Sequence, residues 1–117
     1  MTTSKLVSAL REVRDRPELF GFSMSAPIET RMYGLELFIF GYLVCLRRNE
    51  VADRAGREFL GEMAGYLRGR FGWSLSLGPV QTILDHEGEN AWERFFELLD
   101  EFERDSRNES YWFDSTG

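Results

Sequence analysis

The chain has 117 residues, of which 43% are hydrophobic and 15% aromatic, and it carries a net charge of −6. This length is typical of one domain that can bury a sizeable core. A single cysteine excludes a disulfide framework. No apolar segment of the signal-peptide kind stands at the N-terminus, so we expect a cytoplasmic protein.

The first predicted element is a helix from Ser4, which can cap it, to about Arg14. Pro17 ends this helix, because the residue before a proline avoids the helical conformation. The residues that follow are expected to form a single turn that inserts Leu19 and Phe20 into the core.

The central helix is predicted from a cap at Ser25 to Arg48, and it is the most apolar part of the chain. Between Met32 and Leu46 it carries one charge, Glu36. A transmembrane helix needs about 20 apolar residues, so this shorter run predicts a helix buried in a core. Helical spacing places on one side the core residues Met32, Leu35, Ile39, Tyr42, Leu43 and Leu46. A second side, where small residues would let another helix approach, holds Gly34, Phe38, Gly41 and Cys45.

A third helix is predicted from about residue 51 to Arg70, with the inward residues Phe59, Leu60, Met63, Tyr66, Leu67 and Phe71. Three glycines form a stripe along it, which indicates either close helix packing or a locally weak helix. These are Gly61, Gly65 and Gly69. A short extended segment is allowed at 72–77, where apolar residues alternate.

Pro79 starts a brief helix to Asp85, and a last helix begins at Ala91. The chain is therefore predicted to be an all-α bundle of four main helices plus short helical turns. We place the helical domain at 1–105 and a polar and aromatic tail at 106–117. The residues expected to be mostly buried are Leu35, Phe38, Ile39, Tyr42, Leu43, Phe59, Met63, Leu67, Phe95, Leu98, Leu99 and Phe102.

The charge is unevenly distributed along the chain. Residues 1–70 hold 11 basic and 9 acidic side chains, whereas residues 71–117 hold 3 basic and 11 acidic ones. This asymmetry argues against nucleic acid as a ligand of the C-terminal third and suits a basic protein partner. A solvated acidic helix face is the alternative explanation.

Few residues could carry catalysis. His86 is the only histidine, Cys45 is expected to be a small buried residue, and no glycine-rich phosphate loop is present. Glu36 is expected to form an ion pair, because a carboxylate in an apolar helix is rarely buried alone. Its candidate partners are Arg14, Arg16 and Arg31. We therefore predict neither an enzyme nor a bound metal or other cofactor, and an enzyme that uses Glu36 and His86 is the least favoured alternative.

Three stretches resemble motifs of one family of small bacterial proteins. They are RDRPELFG at 14–21, LFIFGY at 37–42 and AWERFFELLDEF at 91–102. The resemblance spans about residues 10–103. Some members of this family resemble immunity proteins encoded beside polymorphic or contact-dependent toxins. The resemblance therefore implies a non-enzymatic protein that binds and neutralises a cognate toxin inside the producing cell.

The predicted partner-binding surface combines acidic residues of the C-terminal third with aromatic residues of the tail. It consists of Asp85, Glu87, Glu89, Glu93, Glu97, Asp100, Glu101, Tyr111 and Trp112. Aromatic anchors with a charged rim are typical of protein interfaces, and a basic toxin would fit them. Glu93, Glu97 and Asp100 are expected to face outward without a role in folding.

Two further predictions concern partners. Neither nucleic acid nor a membrane is expected to bind. The alternative function is a structural or regulatory helical module that forms a homodimer through the aromatic tail.

Overall fold

The computed structural model describes residues 5–49 and 58–108 of the chain. These residues form five α-helices: α1 (Lys5–Asp15), α2 (Ile28–Arg48), α3 (Phe59–Phe71), α4 (Pro79–Glu87) and α5 (Ala91–Asn108). Two 3-10 turns, Pro17–Phe20 and Gly88–Asn90, precede α2 and α5. No strand occurs in the described part of the chain, so the predicted all-α bundle is confirmed.

The start of α2 differs from its prediction. Ser25 does not cap the helix, which begins at Ile28. The Ser25 hydroxyl instead lies 2.9 Å from the Ser23 hydroxyl. The predicted end at Arg48 is confirmed. There, Asn49 donates from its backbone and its side chain to the Cys45 carbonyl, at 3.1 and 2.9 Å. These bonds satisfy a carbonyl that the helix end would leave without a partner.

The segment between α3 and α4 is irregular rather than extended. Gly72 ends α3 in the left-handed conformation, with φ +72°, and its N–H donates to the Arg68 carbonyl at 2.8 Å. Leu75 is buried, and the Gly78 N–H closes a turn onto its carbonyl at 2.9 Å. The proposed start of the third helix near residue 51 lies outside the described residues.

The core lies between all five helices, and α4 packs against α2, α3 and α5. Eight of the twelve residues predicted to be buried are fully enclosed, whereas Phe38, Tyr42, Leu43 and Phe102 are partly buried. The prediction for the first turn was wrong. Leu19 is 72% exposed and Phe20 is also exposed, because Phe20 packs edge-on against Phe38 outside the core.

The helix glycines mostly do not mediate close packing. A Cβ atom added at Gly41, Gly61, Gly65 or Gly69 would meet no atom within 4 Å. Among the described helix glycines, Gly34 in α2 is the exception, because a Cβ atom added there would lie 3.1 Å from the Phe22 ring. The stripe on α3 therefore weakens the helix locally instead of admitting a neighbour.

Candidate protein-binding surface

Helix α5 has two distinct sides because its apolar residues recur at helical spacing. The inner side is buried and consists of Ala91, Trp92, Phe95, Phe96, Leu98 and Leu99. Acidic residues occupy the rest of its circumference, as predicted from the sequence. Their surroundings decide which of them a partner could reach.

Two arginines of α1 engage the acidic residues near the C-terminal end of α5. Arg11 donates from Nη2 to Asp100 Oδ1 at 3.0 Å and to Glu103 Oε1 at 2.6 Å. Arg14 donates to the other Asp100 oxygen at 3.4 Å. Burial alone would lower the pKa of Arg11, but the hydrogen bonds to both carboxylates outweigh it and raise that pKa. Asp100 therefore faces outward, as predicted, but it also joins α1 to α5 through these ion pairs.

Arg94 plays the same role on the opposite flank of α5. Its guanidinium lies 3.8 Å from Glu87, 3.2 Å from Glu97 and 3.6 Å from Glu101. Glu101 also pairs with Arg70 of α3. These pairs join α3, α4 and α5, so much of the acidic character counted from the sequence is neutralised within the domain.

The remaining acidic residues lie towards the N-terminal end of α5. Glu89 and Glu93 are exposed, and no basic side chain of the described residues forms an ion pair with either. Glu97 is 63% exposed despite its pair with Arg94. Asp85 stands apart, since it accepts a hydrogen bond from Gln81 at 3.1 Å. We call Glu89, Glu93 and Glu97 the acidic ridge.

Shallow grooves flank the Glu93 and Glu97 part of the acidic ridge on both sides. One, of about 400 Å³, has Trp92 and Phe96 in its wall together with Arg14, Met24 and Asp100. The other, of about 420 Å³, lies among Glu87, Asn90 and Arg94. Glu93 and Glu97 border both grooves. Tyr111 and Trp112, the predicted aromatic anchors, lie outside the described residues.

Sequence reasoning missed a second surface, on the outer face of α2. Four large side chains are exposed there: Tyr33 (62%), Leu37 (52%), Phe40 (49%) and Val44 (43%). They lie opposite the buried residues Met32, Leu35 and Ile39. Their 4-3-4 spacing is the signal that could have revealed a continuous outer face. We call these four residues the α2 stripe.

Glu36 lies beside this stripe without the ion pair that was predicted. It is half-buried in a groove of about 300 Å³ that also borders Phe40 and Leu77. Arg14 pairs instead with Asp100, and Arg31 donates to the Ala26 carbonyl. Among the described residues, no basic side chain lies within ion-pair distance of Glu36. Because the Glu36 carboxylate can reach water through this groove, it does not need an ion-pair partner.

The other two candidates for chemistry are both exposed. Cys45 is a free, exposed thiol, contrary to the expectation of a small buried residue, because it lies away from the core side of α2. His86 is exposed in the last turn of α4 and stacks on Trp73, with ring centroids 4.1 Å apart. Trp73 in turn stacks on Phe71 at 4.3 Å. This stack joins the ends of α3 and α4.

The described residues contain neither a candidate metal site nor a helix that could span a membrane. Within 5–49 and 58–108, no three His, Cys, Asp or Glu side chains form a group that could hold a metal ion. In the same ranges, no helix combines the length and the apolar content needed to cross a bilayer. No protein-family model, curated protein or solved structure matches the chain.

Proposed function

We propose that this protein is a non-enzymatic protein-binding module whose acidic ridge binds a basic protein. The observation that carries this proposal is the position of Glu93 and Glu97 between two grooves, with the exposed Glu89 four residues before Glu93. Two of these carboxylates have no ion-pair partner among the described residues, so no basic side chain there neutralises their charge. Carboxylates placed in this way attract a basic protein and orient it during encounter.

The partner in this proposal is a cognate toxin, and the protein acts as its immunity protein in the cytoplasm. The three sequence motifs support this assignment through their resemblance to a family with immunity-like members. Toxins that cleave nucleic acids are often basic, and an acidic surface complements them. The groove beside the ridge adds apolar surface from the exposed Met24, which suits an interface with an apolar centre and a charged rim.

Affinity capture from the native cell, followed by co-expression, tests this proposal. The captured protein is expressed in a host with wild-type protein or with the E89R/E93R variant. Both substitutions lie on exposed positions without ion pairs, so we expect the fold to persist. Wild-type protein should restore growth, and the variant should protect at least about tenfold less well because it repels a basic partner.

The matched control reverses two other exposed carboxylates, in the E12R/E18R variant. This variant changes the net charge by the same amount, but its two positions lie on α1 and on the turn that follows it. This control should protect as well as the wild type. Full protection by E89R/E93R, or a captured protein that harms no cell, would contradict the proposal.

A further inference from the structure

We propose that the α2 stripe packs against the α2 stripe of a second copy of this chain, with the two helices antiparallel. Helix α2 is 21 residues long and apolar on nearly every side, a pattern typical of a helix that is covered all round. Among the described residues, the core covers one side of it only. The stripe therefore presents the face that a second helix would cover.

The spacing of the stripe is self-complementary. A two-fold axis between residues 38 and 39 brings Tyr33 of one copy level with Val44 of the other, and Leu37 level with Phe40. Near the axis, each Leu37 also lies beside its own symmetry mate, and so does each Phe40. The 4-3-4 spacing is the one that lets side chains of two helices interdigitate along a seam. An isologous contact of this kind closes after two copies and does not continue into a filament.

The charges at the two ends of α2 favour the antiparallel arrangement. Glu29 lies in the first turn, and Arg47 and Arg48 lie in the last. All three are exposed, and none forms an ion pair with another described residue. Antiparallel packing places Glu29 of one copy beside the two arginines of the other. Parallel packing would instead place four arginines together at one end and two glutamates at the other.

The apolar surface continues on both sides of the stripe. Phe20 lies across one groove from Leu37, and Leu77, which is 63% exposed, lies across the other from Phe40. A large aromatic side chain buries about 150–250 Å² in full, so these six half-exposed residues leave on the order of 500 Å² open. A patch of this size matches the largest apolar patch of a typical monomer, about 300–600 Å², and such patches are often functional. It is smaller than the roughly 800 Å² that each partner contributes to a stable interface, so the dimer should be reversible.

Sedimentation velocity over a dilution series tests this inference directly. Wild-type protein should shift from dimer to monomer in the micromolar range. Leu37→Asp and Phe40→Asp should each raise the dissociation constant at least about tenfold, because they bury a charge at the centre of the seam. Both positions are about half exposed, so the monomer should remain folded, and circular dichroism checks this. The control Met24→Asp, in the groove beside α5, should dimerise like the wild type.

Charge exchange and crosslinking then test the direction of the helices. E29R alone, and R47E/R48E alone, should each weaken dimerisation several-fold, and the triple variant should restore it. In a Cys45→Ser background, a mixture of Y33C and V44C should form a disulfide much faster than either variant alone, since facing positions come within disulfide reach.

A wild-type protein that stays monomeric at every concentration would overturn the inference. So would a dimer that survives both Leu37→Asp and Phe40→Asp. Rapid crosslinking of Y33C with itself would show parallel packing and would overturn the antiparallel arrangement. None of these outcomes bears on the acidic ridge, so the proposed function is tested separately.

Discussion

The outer faces of α2 and α5, the two longest helices, are built in opposite ways. The outer face of α5 is charged, and arginines of α1, α3 and α5 itself neutralise much of it. The outer face of α2 is apolar, and no other described element covers it. Charge on the first face holds the domain together, and the acidic ridge is its exposed part. The second face leaves apolar surface in water, and no described element covers it.

This difference separates two kinds of surface residue. On α5, position along the helix decides the role, because Asp100 binds arginines of α1 whereas Glu93 binds none among the described residues. On α2, the size and apolar character of the side chains indicate the role, because an ordinary solvated face does not hold four large apolar residues in a row.

The largest expected effect separates the core side of α5 from the outer face of α2. Phe95 is fully buried, so Phe95→Ala should lower the free energy of unfolding by about 3–5 kcal/mol. Phe40 is half exposed, so Phe40→Ala should cost less than about 1 kcal/mol in dilute, monomeric protein. Urea denaturation measures both. Equal losses would mean that the stripe belongs to the core of the monomer.

A smaller effect separates the two groups of acidic residues on α5. Asp100→Arg should cost about 1 kcal/mol, because it replaces an attraction to Arg11 and Arg14 with a repulsion at a partly exposed site. Glu93→Arg should change stability by less than about 0.5 kcal/mol. Thermal melts of the two variants check this ordering. A reversed ordering would contradict the assignment of Asp100 to folding and of Glu93 to the partner surface.

The glycines of α3 and α2 give a stabilising counterpart. Gly65→Ala should raise the free energy of unfolding by about 0.5–1 kcal/mol, because alanine favours the helix and the added methyl group meets open space. Gly34→Ala should not raise the free energy of unfolding in this way, because its added methyl group would press on the Phe22 ring. The same melts would measure both variants, and a destabilised Gly65→Ala would indicate hidden close packing.

The smallest effect is a dependence on alkaline pH. Burial, followed by the hydrogen bond to Asp105 at 2.8 Å, raises the pKa of Tyr66 above its ordinary value. The folded protein therefore holds this proton more tightly than the unfolded chain, and stability should fall as pH rises above about 10. Tyr66→Phe should show a shallower loss over that range. Parallel pH profiles of the two proteins would contradict this role.

The sequence predicted the helices well because their signals are local. Pro17 and Pro79 mark a helix end and a helix start, and apolar periodicity identified the inner side of α5. The surroundings of individual charges are not local, so the pairing of Asp100 with two α1 arginines could not be read from the chain. The same holds for Glu36, whose groove depends on residues of α3 and of the segment before α4.

The outer face of α2 illustrates a different limit. Its apolar composition indicated burial, and burial within the monomer was the simplest interpretation. Yet a helix that is apolar on nearly every side needs neighbours on every side, and the described elements cover only the side of Met32, Leu35 and Ile39. In the proposed dimer, a second copy of the chain covers the outer side.

In our two proposals, the acidic ridge and the α2 stripe bind different partners. The most direct test is the association rate of the captured basic protein with wild type, with E89R/E93R and with L37D/F40D, at low and at physiological salt. We predict that E89R/E93R slows association about tenfold at low salt, and less at physiological salt, because screening weakens long-range attraction. L37D/F40D should associate at the wild-type rate. Slow association of L37D/F40D together with an unchanged rate for E89R/E93R would contradict the claim and would identify the α2 stripe as the partner surface.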